Sequence, residues 1–303
     1  MAQKISRQVI GDPASFALDL RWLSKEPEDV RGLGWAGLYL WVNGSRVWTS
    51  GGRNVQPVLW TWLDLAEWLA RAWPYILLEE NAPFGLVASK PEELTQKKVL
   101  KTIKDTPAVE AADAIHAYLN RHDLAAGLKG IYLPSVWILP EGSNMRIRAA
   151  NTDMWVAKKA VISIFEEFAE AILDKTGEDT TGRARIAREH WARRVPSRER
   201  VVELSTGLSL NVLKEWLPEV PEEKLVGDPV HGEETEFFAA ARLSASLPHE
   251  TRRQIVQTIS TTAEMRERYG VSNEVLGWQI WNGPAKDLLQ DREIKLIRKW
   301  CGI

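Results

Sequence analysis

The sequence predicts an α+β fold: a Trp-rich N-terminal part of short antiparallel strands plus helices, followed by a mostly helical C-terminal half. Three observations carry this reading. Apolar residues alternate at period two in "FALDLRWL" (16–23), and "GLYLWVNGSRVW" sets Asn43-Gly44 between two apolar runs, a tight-hairpin signal because both turn residues tolerate positive φ. In "TWLDLAEWLARAWP" (61–74) the period changes, with Trp62, Ala66, Leu69 and Trp73 on one helical face. From about Met154 to the end, amphipathic helical patterns dominate.

In chain order, Phe16, Leu18, Leu20 and Trp22 predict a half-buried strand, and the Asn43-Gly44 hairpin follows. The 61–74 helix is expected to be capped by Thr61 with Asp64 and to end before Pro74. Residues 90–107 read as a charged connector. The next helix has Thr106 as N-cap, Pro107 in its first turn and Gly127 near its end. "IYLPSVWILPEGSNMRIRAA" predicts a second hairpin, with Met145, Ile147 and Ala149 pointing one way and Arg146 and Arg148 the other. "MWVAKKAVISIFEEFAEAILDKTG" predicts a helix closed by Gly177, followed by an arginine-rich helix stopped by Pro196. A helix–turn–helix-like unit around Gly207 comes next. Eight acidic side chains and three prolines between 215 and 236 predict a flexible acidic linker. Closing helices follow. The expected domains are 1–152 (mixed, Trp-rich), 153–214 (helical), 215–236 (linker) and 237–303 (helical).

At 303 residues with 45% hydrophobic and 26% charged content, the chain matches a globular protein that buries a large core. Apolar runs fall well short of about 20 residues, so no membrane span is expected. The N-terminus lacks an apolar signal core and Cys301 is the single cysteine, so a cytoplasmic protein without disulfides is expected. Of fifteen tryptophans, Trp22, Trp35, Trp41, Trp48, Trp60, Trp62, Trp68 and Trp73 crowd the first quarter. Trp41, Trp48 and Trp60 are expected to face a partner.

The stretch "TGRARIAREHWARRVPSRER" (181–200) holds seven arginines. On a helix, Ala184, Ala187, Trp191 and Val195 form an apolar stripe, with cationic residues on its flanks. Guanidinium arrays suit phosphate or an acidic surface, so Arg183, Arg185, Arg188, His190, Arg193, Arg194, Arg198 and Arg200 are the candidate contacts. Pairing with the acidic 215–236 segment, or plain solvation, is the competing reading.

"VVELSTGLSLNVLKEWL" and "MRERYGVSNEVLGWQIW" resemble helix–turn–helix units, in which Leu210, Asn211 and Lys214, or Asn273, Glu274 and Gln279, would lead the recognition helices. Helical packing is the simpler reading, because Trp216, Trp278 and Trp281 make those helices apolar. His116 and His122 are six apart and cannot share an ion from one helix. His122-Asp123 could serve as an acid–base pair or a helix terminus, and Glu79-Glu80 as a carboxylate pair or a solvated edge. No zinc-peptidase motif, phosphate loop or dinucleotide fingerprint occurs. No catalytic residue, metal ligand or cofactor is therefore assigned.

Several segments resemble the N-terminal accessory region of large bacterial ImmA/IrrE-type metallopeptidases. They are "LYLWVNGSRVW", "WTWLDLAEWLARAWPYILLEENAPFGL", "RHDLAAGLKGIYLPSVWILPEGSNMRIRAA" and "ETEFFAAARLSASLPHETRRQIV", together extending over about residues 15 to 260. The peptidase motif of that architecture is not in this sequence, so its activity and zinc ligands are not carried over. The resemblance implies an accessory module that recognises a signal or partner for an effector. The expected function is a non-catalytic recognition or regulatory subunit of a bacterial stress, toxin–antitoxin or phage-defence system. It would act through protein contacts, with nucleic-acid binding on the arginine helix as a second mode. The alternatives are a DNA-binding transcriptional regulator and a nuclease or hydrolase subunit using His122, Asp123, Glu79 or Glu80.

Overall fold

The computed structural model describes residues 6–23, 27–50, 55–80, 82–83, 108–177, 182–245 and 247–269. The expected α+β arrangement is present: antiparallel strands in the N-terminal half, then mostly helices. The chain divides into two units, Met1–Pro196 and Ser197–Ile303.

In the first unit, β1 (Ser6–Gly11), β2 (Phe16–Trp22), β3 (Trp35–Val42) and β4 (Ser45–Trp48) pair in order, and β5 (Val58–Thr61) pairs with β3. Every pairing is antiparallel. Asn43 and Gly44 join β3 to β4 at φ 50° and 73°, as the hairpin signal requires. Ile10, Phe16, Leu18, Leu20, Leu38, Leu40, Trp48 and Val58 share the inner face by register and are all buried.

Helix α1 (Leu63–Leu78) is buried on most of its surface. Two local expectations fail here. Trp62, not Thr61, is the N-cap and makes no side-chain cap bond; Pro74 lies inside the helix. The missing Pro74 N–H forfeits one helical bond, but Ile76, Leu77 and Leu78 beyond it are buried, and that burial carries the helix on. Helix α2 (Ala108–His122) is followed by a short 3-10 turn at Leu124–Gly127. The expected Thr106 cap, Pro107 and the 90–107 connector lie outside the described residues.

A second sheet has order β6 (Val136–Glu141), β7 (Asn144–Ala149), β8 (Thr152–Ala157). Met145, Ile147 and Ala149 are buried while Arg146 and Arg148 take the opposite face, as the alternation predicts. The third strand is a correction: Thr152–Ala157 is extended, and helix α3 runs from Lys158 to Lys175. The turn Ala150-Asn151 that makes this possible holds Ala150 at φ 48°.

Helix α3 lies between the two sheets. It packs on β1 and β2 of one and on β7 and β8 of the other, while α1 meets β6. Phe16 meets Phe165 edge-on at 5.7 Å. A Cβ on Gly11, at φ +89°, would collide with the Phe16 carbonyl and the Ile164 side chain, so α3 sits against bare backbone there. Helix α4 (Arg183–Ala192) rests on α1 and α3.

The second unit holds α5 (Arg198–Thr206), α6 (Leu210–Trp216), α7 (Glu222–Val226), a small hairpin β9 (Gly227–Asp228) with β10 (Glu233–Glu234), α8 (Glu236–Leu243) and α9 (His249–Tyr269). The expected acidic linker is therefore structured. Leu225 and Val226 are buried, and Glu234 binds Arg242 at 2.9 Å; apolar anchors override the acidic composition. Thr235 caps α8 through the Phe238 N–H. Arg252 is buried and donates to the Thr206 and Ala241 carbonyls, and burial pushes its guanidinium down to about 10. The domain boundaries expected at 152 and 214 are replaced by a single division at 196/197. No helix among the described residues is long and apolar enough to cross a membrane.

Two outcomes follow for stability. Left-handed backbone costs a non-glycine residue roughly 1–2 kcal/mol, partly offset by the entropy glycine loses on folding. Ala150→Gly should therefore raise the urea midpoint by up to about 1 kcal/mol equivalent; a lowered midpoint would refute strain at that turn. Trp48 is 0% exposed and its Nε1–H donates to the Pro134 carbonyl at 2.8 Å. Trp48→Phe should cost about 2 kcal/mol in the same measurement, from the lost bond and the space left behind.

Candidate recognition surfaces

The arginine-rich segment does not build a single cationic face. Ala184, Ala187 and Trp191 are buried as the apolar stripe predicts, whereas Val195, past the helix end, is 62% exposed. Arg183 pairs with Asp64 of α1. Arg188 donates to the Leu173 and Thr176 carbonyls and to the Thr176 hydroxyl, closing the C-terminus of α3. Arg194 binds Glu166 at 2.6 Å and lies over the rings of Trp191 and Trp73, at 4.1 and 5.5 Å.

Arg185 pairs with Glu189 one turn away, in solvent. His190 and Arg193 are exposed, and among the described residues the Arg193 side chain has no partner. Arg198 and Arg200 belong to the other unit, where they face Glu222 at 3.9 Å and Glu203 at 2.6 Å. Charge pairing with the 215–236 segment is thus found for Arg198, at Glu222. Three of the arginines hold the first unit together from within.

The three expected partner tryptophans fare differently. Trp48 is a correction: it is fully buried, stacked on Trp62 with ring centroids 6.3 Å apart, and offers nothing to a partner. Trp60 is half-buried on the inner-face register, against Gly130. Trp41 alone takes the outer face, half-buried opposite Arg46.

That outer face groups residues no single motif shows. By register it carries Arg7 and Val9 of β1, Ala17, Asp19 and Arg21 of β2, Tyr39 and Trp41 of β3, Arg46 of β4 and Leu59 of β5. Asp19 is fully buried, gripped by Arg7 in a bidentate pair at 2.9 and 3.0 Å and approached by Arg21 at 3.6 Å. Their hydrogen bond, with their mutual charge, raises the Arg7 guanidinium above its ordinary range. Arg21 and Arg46 lie over the Tyr39 ring at 4.8 and 4.5 Å, and Arg46 also covers Trp41 at 4.6 Å. Val9 and Leu59 are exposed at its margins.

The second sheet also turns arginines and aromatics outward, but closes them into a network. Arg146 binds Asp153 through two nitrogens at 2.8 and 2.6 Å, faces Glu141 at 3.6 Å and lies over Trp155. Trp155 is 55% exposed, and its Nε1–H donates to Glu141 at 2.7 Å.

The acid–base candidates come together, though not as the sequence pairs them. The His122 ring is fully buried, with Nδ1 2.9 Å from the Ile138 carbonyl and Nε2 3.1 Å from Glu79 Oε2. Both ring nitrogens thus face oxygen atoms. Arg121 grips the same carboxylate at 3.0 and 2.6 Å. Asp123 instead accepts from the Ala125 and Val136 N–H groups, and Glu80 from the Gly142 N–H at 2.7 Å. The Glu79–His122 contact spans 43 positions, so neither adjacent pair in the sequence signals it. Glu79, through His122 and Arg121, fastens the end of α1 to α2; Glu80 ties it to the β6–β7 turn, and Asp123 ties the end of α2 to β6. Among the described residues, no three His, Cys, Asp or Glu side chains gather to hold a metal ion.

In the helix–turn–helix-like unit, Gly207 caps α5 at φ 67° and Ser209 caps α6. Leu210 is buried, Lys214 is bound to Glu222, and Asn211 points outward. The second such stretch lies mostly outside the described residues. Comparison of the chain with protein-family models, characterised proteins and solved structures finds no match.

The Glu79 cluster sets a pH dependence. Burial alone would raise the Glu79 carboxyl, but the hydrogen bonds and charges of His122 and Arg121 outweigh it and hold the carboxyl below its ordinary 4.5. Near pH 4 the unfolded chain therefore binds more protons at Glu79 than the native one. The stabilisation is complete above about 4.5 and disappears as pH falls through the lower native value. Glu79→Gln should lose about 3 kcal/mol at pH 7, and its deficit against the wild type should shrink at pH 3.5. An equal deficit at both pH values in urea denaturation would refute the ion cluster.

Proposed function

We propose that the chain is a non-catalytic recognition or regulatory subunit of a bacterial stress, toxin–antitoxin or phage-defence system, and that the outer face of the five-stranded sheet is its contact surface. One observation carries the reading: Arg21, Tyr39, Arg46 and Trp41 stack into a continuous arginine–aromatic surface, with exposed Val9 and Leu59 beside it. Trp, Tyr and Arg are the residue types that dominate binding hot spots, because they add large contact area and oriented donors for few freed torsions. Arg46 is held across two rings before any partner arrives, so less side-chain entropy is lost on binding.

The accessory role implied by the resemblance to ImmA/IrrE-type architectures supports the same reading. It makes the effector a protein supplied by another chain or domain, and places the work of this one in contacts. The acid–base candidates support a scaffold role, since His122, Asp123, Glu79 and Glu80 are each bound to partners that fix the fold. The arginine helix contributes through Arg185, His190 and Arg193, its outward residues.

The test is co-expression with the products of adjacent genes, followed by affinity purification and titration of whichever product is retained. Arg46→Glu should weaken that complex by about tenfold or more, while Arg71→Glu on α1, outside both contact surfaces, should leave it unchanged. A complex insensitive to Arg46→Glu would remove the sheet face from the reading, and absence of any stable complex would remove the subunit role.

A further inference from the structure

Resting on that reading, we infer that the ligand of the outer sheet face is single-stranded nucleic acid, with bases stacking on the Arg46–Trp41 platform and phosphates passing toward Arg21 and Arg7. The face carries three arginines against one aspartate, a net of two positive charges (3 − 1) in a chain whose total is −2. The excess is therefore local, which is what a charge-complementary surface for an anion requires.

The shape of the cation matters as much as its sign. Arg46 is exposed, sits 4.5 Å from the centre of Tyr39 and 4.6 Å from that of Trp41, and makes no ion pair with a carboxylate among the described residues. Its planar guanidinium thus lies within cation–π reach of two rings, with its exposed side left for a planar group. Tyr39 is 3% exposed, so it acts as the floor under Arg46 and not as a stacking surface itself. Trp41 supplies the second plane.

Unstacked bases seek such aromatic and guanidinium planes, and every base has a π-face, so the contact tolerates sequence. Duplex DNA keeps its base planes stacked on one another and offers only base edges, inside its grooves, so its π-faces are not free to meet the platform. An acidic peptide would satisfy the charge but not use the planes. The pairs on the second sheet serve as contrast: Arg146 is already held by Asp153 and Glu141, so that face has no comparable uncommitted cation.

The experiment is fluorescence anisotropy of the full chain with labelled oligo(dT), oligo(rU), duplex DNA and poly-glutamate. Both single strands should bind more tightly than the duplex, and the affinity should fall steeply between about 50 and 200 mM salt. Arg46→Glu and Trp41→Leu should each weaken binding roughly five- to a hundredfold. Arg46→Lys, which keeps the charge and the exposed position but loses the plane, should fall between them and wild type. Circular dichroism of the exposed Arg46 variants checks that the fold is kept.

No binding of either single strand at low salt overturns the inference, as does duplex binding equal to single-strand binding. Poly-glutamate competing as well as oligo(dT), or Arg46→Lys behaving as wild type, overturns it too, by showing that charge alone is read. A protein complex that depends on Arg46 together with no oligonucleotide binding would sink this inference and leave the subunit reading standing. Oligonucleotide binding without any protein complex would do the reverse.

Discussion

Three indole N–H groups fasten the first unit, and the rest of its architecture depends on them. Trp48 donates to the Pro134 carbonyl, Trp62 to Ala36 and Trp68 to Asn120, across 86, 26 and 52 positions. Each bond ties a strand or helix to main chain far away in sequence, and each ring fills the space beside its own bond. Trp48 and Trp62 stack on one another, while Trp73 meets Trp191 edge-on at 5.2 Å. A buried tryptophan gives a large apolar area and demands one acceptor. Meeting that demand with a backbone carbonyl fixes position and orientation together. The density of tryptophan in the first quarter is therefore mostly a requirement of packing within the first unit. Only where a ring is left on the far side of a sheet, as Trp41 and Trp155 are, is it available for anything else.

Charge does similar work where apolar surface is scarce. Helix α4 buries only Ala184, Ala187 and Trp191, too narrow a stripe to hold ten residues by the hydrophobic effect alone. Arg183, Arg188 and Arg194 supply the remaining attachment, to a carboxylate on α1, to the terminal carbonyls of α3 and to a carboxylate with two rings. Arg188 meets the helix end where carbonyls accumulate partial negative charge, which favours a cation there. A run of arginines that looks like a phosphate surface in one dimension thus becomes a set of clamps in three. The same logic places the Arg121–Glu79–His122 cluster at the end of α1, where the helix, α2 and the second sheet meet.

What could be read from the sequence followed how local the determinants are. The Asn43-Gly44 turn, the alternation of Met145, Ile147 and Ala149, the turn at Gly207 and the Ala184, Ala187 and Trp191 part of the α4 stripe each depend on neighbours within a few positions, and each is found. Pro74 was misleading because a terminator acts only if nothing beyond it is worth burying. Residues 154–157 were misleading because their pairing with β7 depends on Ala150 accepting left-handed backbone, a conformation alanine seldom adopts. Composition marks 215–236 as a linker, yet buried Trp216, Leu217, Leu225, Val226 and Val230, with the Glu234–Arg242 pair, order it. The outer sheet face was least legible of all. Its members come from five strands, and only the pairing register brings Arg7, Arg21, Tyr39, Trp41 and Arg46 to one side.

That face also shows how one device can be structural and receptive at once. An outward tyrosine on a sheet exposes apolar surface to water, and a guanidinium laid over it covers the ring while keeping its own charge hydrated. On the second sheet the same device is closed by Asp153 and Glu141, which consume the donors of Arg146 and the indole N–H of Trp155. On the first, Asp19 neutralises Arg7 and part of Arg21 but lies too deep to reach across to Arg46. One cation is left with a plane, two rings beneath it and no carboxylate beside it among the described residues. Its donors are held by no carboxylate among the described residues, and that asymmetry between two otherwise similar faces is the ground on which the first is proposed as the site of recognition.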